Sequence, residues 1–330
     1  MNSRHLVLVA LLLALALTGC GHPTQPGQTA KELRPITLAM GFVPNVQFTP
    51  VYVALERGYF AAEGLKVTLD YGMETDLLEQ VGIGNLQFAI ASGDQVIMAR
   101  ANGLPVRYVL NWYRRFPVCV VALADSGIVS PADLVGKRVG IPALKGASYI
   151  GWQVFAQEAG LTGDAVDLQV IGYTQVASLT EGRIDAAICY AMNEPVQLRA
   201  MGYEVHSFFL DAYTDLPSNG IITNDETIAE NPELVRALNS AFLRGLKDTL
   251  DDPDAAFAIA RKAIPGMDDE TATLQRAVLD ECVAFWQGDQ LGYSPPASWE
   301  RATETMRELG YITVDLDPSL LYTNELLPQS

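Results

Sequence analysis

The sequence predicts an α/β protein of two similar lobes, each a mainly parallel sheet flanked by helices, with a hinge between them. Three observations predict this architecture. The chain has 330 residues and is 49% apolar, and the roughly 295 residues beyond its N-terminal segment exceed what one core usually holds. Strand-like and helix-like segments alternate over residues 36–110 and again over 138–209, a pattern that lays helices over parallel strands. A piece of the first run also recurs in the second. Gly84-Asn85-Leu86-Gln87-Phe88-Ala89-Ile90 aligns with Gly182-Arg183-Ile184-Asp185-Ala186-Ala187-Ile188 at an offset of 98 residues, the kind of self-similarity that marks a duplicated unit.

At the N-terminus, Arg4 and His5 precede an apolar run over residues 6–17, followed by Leu17-Thr18-Gly19-Cys20. The run is too short for a membrane-spanning helix, which needs roughly 20 residues, and has the length of a signal-peptide core. Small residues before Cys20 read as a lipobox. Residues 1–19 are therefore expected to be a lipoprotein signal peptide, and Cys20 the lipid anchor, holding fatty acyl chains such as palmitate in the membrane. Residues 20–34 are poor in aliphatic side chains and form a tether.

The formal net charge is −17, one unit more negative once Arg4 leaves with the signal peptide. Such a surface repels nucleic acid and anionic lipid, which excludes both as partners. The cysteines beyond Cys20 are Cys119, Cys189 and Cys282, each in an apolar stretch. Their odd number and wide spacing argue against a disulfide framework or a cysteine metal site, and they read as buried small hydrophobes.

In chain order, residues 36–41, 65–70, 87–91 and 106–110 read as strands, with helices over 49–60, 76–83 and 94–101. The second run places strands at 138–141, 167–171, 186–190 and 204–209, and helices at 149–158, 176–181 and 194–201. Past Asn219 the pattern is mostly helical, over 231–247, 253–263, 268–286 and 296–309. Lobe I is expected to comprise 35–122 plus 219–330, and lobe II 123–218. Two adjacent crossovers form the hinge, and the cleft between lobes is the expected ligand site.

Residues at strand C-termini and at the starts of the following helices face the crevice of such sheets. That rule nominates Phe42, Asn45, Gln47 and Phe48, then Tyr71 and Glu74, then Ser92, Asp94 and Gln95, then Asn111, Trp112 and Tyr113. The second lobe would supply Ser148 and Tyr149 beside Gly146, then Tyr173, and then Tyr190, Asn193 and Glu194. Asp94 and Asn193, at matching places in the two runs, read as helix N-caps. Aromatic faces and amide groups together suit a flat heterocycle with polar edges. Trp152, spaced helically with Tyr149 and Phe155, belongs to the core. Gly146-Ala147-Ser148 could cradle an anion, but Lys145 is the one base beside it, which places a phosphorylated ligand such as FMN below a neutral one.

Gly41-Phe42-Val43-Pro44-Asn45-Val46-Gln47-Phe48-Thr49-Pro50, Gly58-Tyr59-Phe60, Glu63-Gly64-Leu65-Lys66-Val67, Ser130-Pro131-Ala132-Asp133-Leu134, Gly182-Arg183-Ile184-Asp185-Ala186 and Tyr322-Thr323-Asn324 together resemble the thiamine-precursor-binding, NMT1-like family of periplasmic binding proteins. The resemblance covers residues 36–325. It implies a type II periplasmic-binding-protein fold and a solute-binding role without catalysis or cofactor, on the extracytoplasmic face of the membrane, beside an ABC permease and its ATPase. Pyrimidine-binding members carry Asp-Trp where this chain has Gly41-Phe42, and His where it has Phe48. The more aromatic loop, with Ser92-Gly93-Asp94-Gln95-Val96, looks most like the riboflavin-binding lipoproteins of that family. Riboflavin is the expected ligand, and formylaminopyrimidine or hydroxymethylpyrimidine the alternative.

A second alternative is a pyrimidine-synthesising enzyme, which some members of the superfamily are. The cysteine- and histidine-rich signature that would mark one is missing. The histidines beyond the signal segment are His22, in the tether, and His206, in a strand-like run. Asp251-Asp252 and Asp268-Asp269 sit at helix starts, where capping accounts for them, and no clustered metal ligands stand out.

Overall fold

The computed structural model describes residues 32–161 and 163–328. The predicted signal peptide, Cys20 and nearly all of the tether lie outside the described residues. Two five-stranded sheets carry the fold.

The first sheet holds β1 (Arg34–Met40), β2 (Leu65–Tyr71), β3 (Phe88–Ser92), β4 (Val106–Asn111) and, from much later in the chain, β10 (Asn219–Asn224). The second holds β5 (Val118–Leu123), β6 (Arg138–Ile141), β7 (Asp167–Val170), β8 (Ala186–Tyr190) and β9 (Val205–Phe209). The strand orders are β2-β1-β3-β10-β4 and β7-β6-β8-β5-β9. In each, the second-listed strand pairs in parallel with both neighbours, and the fourth pairs antiparallel with both of its own. The two sheets are thus built to one plan, with β3 and β8 in equivalent places at the same 98-residue offset seen in the sequence. Each sheet is mixed, and its one reversed strand is where the chain crosses between lobes.

Those reversed strands are the elements that the sequence reading misses. Val118–Leu123 is buried along nearly its whole length and reads Val-Cys-Val-Val-Ala-Leu, with no polar alternation to separate a buried strand from a helix. Because it lies in the second sheet, between β8 and β9, the first crossover falls before Val118 and not after Ala122. Residues 219–224, read as the start of a helical region, instead form β10 between β3 and β4.

Helices cover the sheets: α1 (Thr49–Glu56), α2 (Tyr59–Ala62), α3 (Glu74–Gly82), α4 (Gly93–Ala101), α5 (Gly146–Glu158), α6 (Gln175–Thr180) and α7 (Glu194–Ala200). The C-terminal part adds α8 (Asp225–Glu230), α9 (Pro232–Asp251), α10 (Pro253–Ala263), α11 (Asp269–Trp286) and α12 (Pro296–Glu308). The expected helix over 49–60 is two helices, because Gly58 adopts φ +70° between α1 and α2, a conformation that costs glycine little and ends a helix.

Strand alternation divides the core. Leu38 and Met40 of β1 face one buried cluster with Phe242 of α9 and Trp286 of α11, while Ala39 faces another with Val96 of α4 and Trp299 of α12. Asn239, fully buried on α9, donates to the carbonyls of Val109 and Leu326 at 3.0 and 3.1 Å. The C-terminal segment is thereby tied to β4, where Tyr108 also bridges Tyr322. Trp152 is buried beside Phe155, as its spacing predicts.

Candidate ligand site between the lobes

A cleft, partly open to solvent, lies between the C-terminal ends of the two sheets. The first lobe brings the loop after β1, the start of α3 and the chain after β4; the second brings the loop after β6, the start of α6 and the β8–α7 turn. This is the place the crevice rule names.

Of the residues expected there, Phe42, Gln47, Phe48, Glu74, Trp112, Tyr113, Ser148, Tyr173, Tyr190, Asn193 and Glu194 line the cavity. Trp112 is 1% exposed and meets Phe48, Tyr113, Phe242 and Trp286 at centroid distances of 5.2–6.2 Å. It is a structural wall as much as a contact surface. Tyr173 is 62% exposed and stands edge-on to Phe42 across the cleft at 5.6 Å. Gln47 Nε2 donates to Asn193 Oδ1 at 2.6 Å, and the Tyr190 hydroxyl donates to Asn219 Oδ1 at 3.3 Å, so polar contacts also join the lobes.

The other expected residues do not line the cavity, and each has an identifiable task. Asn45 Oδ1 accepts from the Gln47 amide at 2.8 Å and caps the 3₁₀ turn Val46–Phe48. Tyr71 stands behind Phe48 at 6.1 Å, with its hydroxyl 3.0 Å from that of Tyr52. Ser92 donates to Glu74 Oε1 through its amide at 3.0 Å and its hydroxyl at 2.6 Å. Asp94 and Gln95 are buried in the first turn of α4, where Gln95 Nε2 donates to Asp94 Oδ2 at 2.7 Å. Asn111 ties β4 to the C-terminal segment, its Nδ2 donating to the Tyr293 carbonyl at 3.2 Å. Tyr149 follows Ser148 by about 100° round α5 and is turned instead towards Tyr311, at 6.5 Å.

Neither expected cap forms. Asp94 lies inside its helix, in the first turn, and bonds to Gln95 in place of a cap. Asn193 does stand at the N-cap of α7, but its side chain makes no capping bond and faces Gln47.

Lining residues not nominated include Gln175, at the start of α6, and Asn219, at the start of β10. Asn219 follows from the crevice rule once β10 is recognised, and Gln175 lies two residues beyond the nominated Tyr173. Gly41 also lines the wall, and a Cβ there would stand 2.8 Å from the Ile90 carbonyl oxygen. The close approach of β1 to β3 therefore leaves no room for a side chain at 41. Cys189, read as a plain hydrophobe, reaches the wall as well, with Cys119 directly opposite it.

Two lining carboxyls, Glu74 and Glu194, and the buried Asp94 behind them set the electrostatics of the site. Burial raises Glu74 to about 7, reinforced by the nearby Asp94 carboxylate and opposed by the Ser92 hydrogen bonds. Burial raises Glu194 to about 7 and Asp94 to about 6. Near neutrality Glu74 and Glu194 each exist largely as a mixture of acid and carboxylate, able to donate as well as accept. Gln47, Gln175, Asn193 and Asn219 add amide donors and acceptors. Lys145 is the one base among the described lining residues. The walls therefore suit an uncharged ring with mixed polar edges better than a phosphate.

Comparison with known proteins gives the family and the fold. Residues 45–256 match the family model described as NMT1/THI5 like. The chain belongs to that family. It is 38% identical to the riboflavin-binding protein RibY of Chloroflexus aurantiacus, over 99% of each chain. It is 31% identical to the formylaminopyrimidine-binding protein of Halalkalibacterium halodurans, over 76% of this chain and 77% of that one. A 4-amino-5-hydroxymethyl-2-methylpyrimidine phosphate synthase of Legionella pneumophila is 26% identical over 89% of this chain and 93% of its own, so the family spans binders and enzymes. Among solved structures, the periplasmic aliphatic sulphonate binding protein SsuA of Escherichia coli superposes with a TM-score of 0.71 at 12% identity, over 87% of this chain and 96% of its own. That likeness establishes the periplasmic-binding-protein fold. Among the described residues no helix is long and apolar enough to cross a membrane.

Proposed function

We propose that this chain is the extracytoplasmic, lipid-anchored solute-binding component of an ABC importer and that it captures riboflavin in the cleft. The observation that carries the reading is the cavity itself. Phe42, Phe48, Trp112, Tyr173 and Tyr190 line it together with amides and acids on both lobes, in a chain aligned end to end with a protein named for riboflavin binding. A three-ring isoalloxazine needs a stacking surface longer than one pyrimidine, and aromatic side chains from both lobes supply its length. The uracil-like edge and the ribityl hydroxyls require mixed donors and acceptors, which Gln47, Asn193 and the raised carboxyls of Glu74 and Glu194 offer.

The lobes act as two bodies joined by the crossovers before β5 and β10, and closure traps the ligand. Contacts that the ligand makes with both lobes at once, available only in the closed form, shift the population towards it, and Gln47 to Asn193 and Phe42 to Tyr173 join the lobes directly. Cys20 holds the protein beside the permease.

Titration of purified protein with riboflavin, followed by flavin fluorescence, tests the assignment. Stacking on the cavity aromatics should quench the bound flavin. Undiminished emission together with tight binding of formylaminopyrimidine would transfer the site to the pyrimidine ligand, which the relative named for that compound makes the specific rival.

A further inference from the structure

We propose that Cys119 and Cys189 form a buried dithiol that closes to an intramolecular disulfide, reached through the ligand cavity, so that an occupied cavity protects it from oxidation. The two residues are direct cross-strand partners on β5 and β8, their sulfurs are 3.5 Å apart, and both belong to the same buried cluster. Directly opposed residues of an antiparallel pair have Cα atoms roughly 4.5–5.5 Å apart, inside the range a disulfide spans. Closure therefore asks for side-chain rotation and little backbone movement. The third described cysteine, Cys282, lies on α11 and is associated with Tyr113.

The two thiols differ in access. Cys189 is 2% exposed and lines the cavity, whereas Cys119 is fully buried behind it. A small disulfide entering the cleft thus meets Cys189 first. The Cys189 sulfur attacks one sulfur of the reagent, forming a mixed disulfide and releasing the other half as a thiol. Cys119 then attacks the Cys189 sulfur, forming the intramolecular bond and releasing the second half. Two electrons pass from the cysteine pair to the reagent, and the two thiol protons go to the two leaving thiols. Outside the cytoplasm, the class of oxidant is the disulfide of a thiol–disulfide exchange protein or small molecule. Burial pushes the Cys189 thiol well up, so the first attack is slow and quickens with rising pH. The Cys189 thiol also lies against the Glu194 carboxyl, and closure removes that donor from the cavity wall.

The test uses the folded protein and 2-hydroxyethyl disulfide, with and without riboflavin. Without ligand, two of the three thiols beyond Cys20 should disappear, the mass should fall by two hydrogens, and peptide mapping should join Cys119 to Cys189. The joined residues are 70 apart, and tethering the unfolded chain at that separation should raise Tm by about 5 °C. Cys119→Ala should stop at a single mercaptoethanol adduct on Cys189; Cys119→Ser serves the same purpose if the alanine variant folds poorly. Native protein that keeps all its thiols while urea-unfolded protein reacts, a bond to Cys282, or an adduct that never closes in the wild type would each overturn the dithiol.

The protection arm rests on the riboflavin reading. At riboflavin about 100-fold above its Kd, oxidation should slow by up to about 100-fold. If fluorescence shows binding and the rate is unchanged, access through the cavity is refuted. If fluorescence shows no binding, the riboflavin assignment fails, while thiol loss in the unliganded arm still decides the dithiol.

Discussion

Replacing Glu74 with glutamine isolates the contribution of one raised carboxyl to stability. Glu74 rises from 4.5 to about 7 in the folded protein, so the folded state holds a proton over a pH range in which the unfolded chain has lost it. Stability from such a group is fully present below about pH 4.5 and is lost as pH rises through about 7. The shift corresponds to roughly 3 kcal/mol at pH 8 relative to pH 4.5. Glutamine removes the titration and keeps an oxygen to accept from the Ser92 amide and hydroxyl. Urea unfolding of ligand-free protein between pH 5 and 8 should show the wild type falling more steeply than Glu74→Gln, with the curves drawing together at pH 5. The separation at pH 8 should reach up to about 3 kcal/mol, or about 5 °C in Tm. Carboxylates lowered by hydrogen bonds and ion pairs, such as Asp185 with Arg138, lose their stabilisation only as pH falls below the ordinary aspartate range, outside this window. Parallel wild-type and variant curves would falsify the claim that Glu74 is held protonated by burial.

Trp112→Ala should lower stability by about 3–5 kcal/mol, because it empties a fully buried aromatic cluster; an unchanged urea midpoint would contradict its role as a wall. Tyr173→Ala should move stability by less than about 0.5 kcal/mol, since the ring is largely exposed. The same variant should weaken riboflavin by about 0.5–1.5 kcal/mol in a fluorescence titration, and undiminished affinity would remove Tyr173 from the stacking surface. Gln47→Ala breaks the bond to Asn193, and about 1 kcal/mol less closed-state stabilisation should weaken binding roughly fivefold. Small-angle scattering should show compaction of the wild type on saturation; an unchanged radius of gyration with confirmed binding would refute hinge closure. Cys20→Ala should abolish membrane attachment of the processed protein, read by fractionation and mass spectrometry.

The parallel strands were legible because each is bounded by glycine-bearing loops and followed by a helical segment. Leu65–Tyr71, half-buried with near-regular alternation, shows the period-2 signal directly. β5 and β10 were not legible, since β5 is apolar throughout and β10 has only a short Gly-Ile-Ile core. Their partners lie far away in sequence. The same contrast governs the site. Phe42, Glu74, Tyr173 and Tyr190 were found because they sit where strands end. Which way each side chain turns was not legible: Ser148 and Tyr149 are adjacent, yet only the serine faces the cavity. The Cys119–Cys189 pairing was hidden for the same reason, because it depends on the register of a strand that local periodicity cannot identify.

The late return of β10 to the first sheet also orders how the chain can assemble during synthesis. β4 is an edge strand that pairs with β10, so the first sheet cannot join its two parts until residue 224 has emerged. The second sheet draws every strand from residues 118–209, and can be finished while the first still waits. The N-terminal strands must therefore remain open, exposing Phe88–Ser92 and Val106–Asn111 to wrong partners, until a later stretch of polypeptide fills the gap between them.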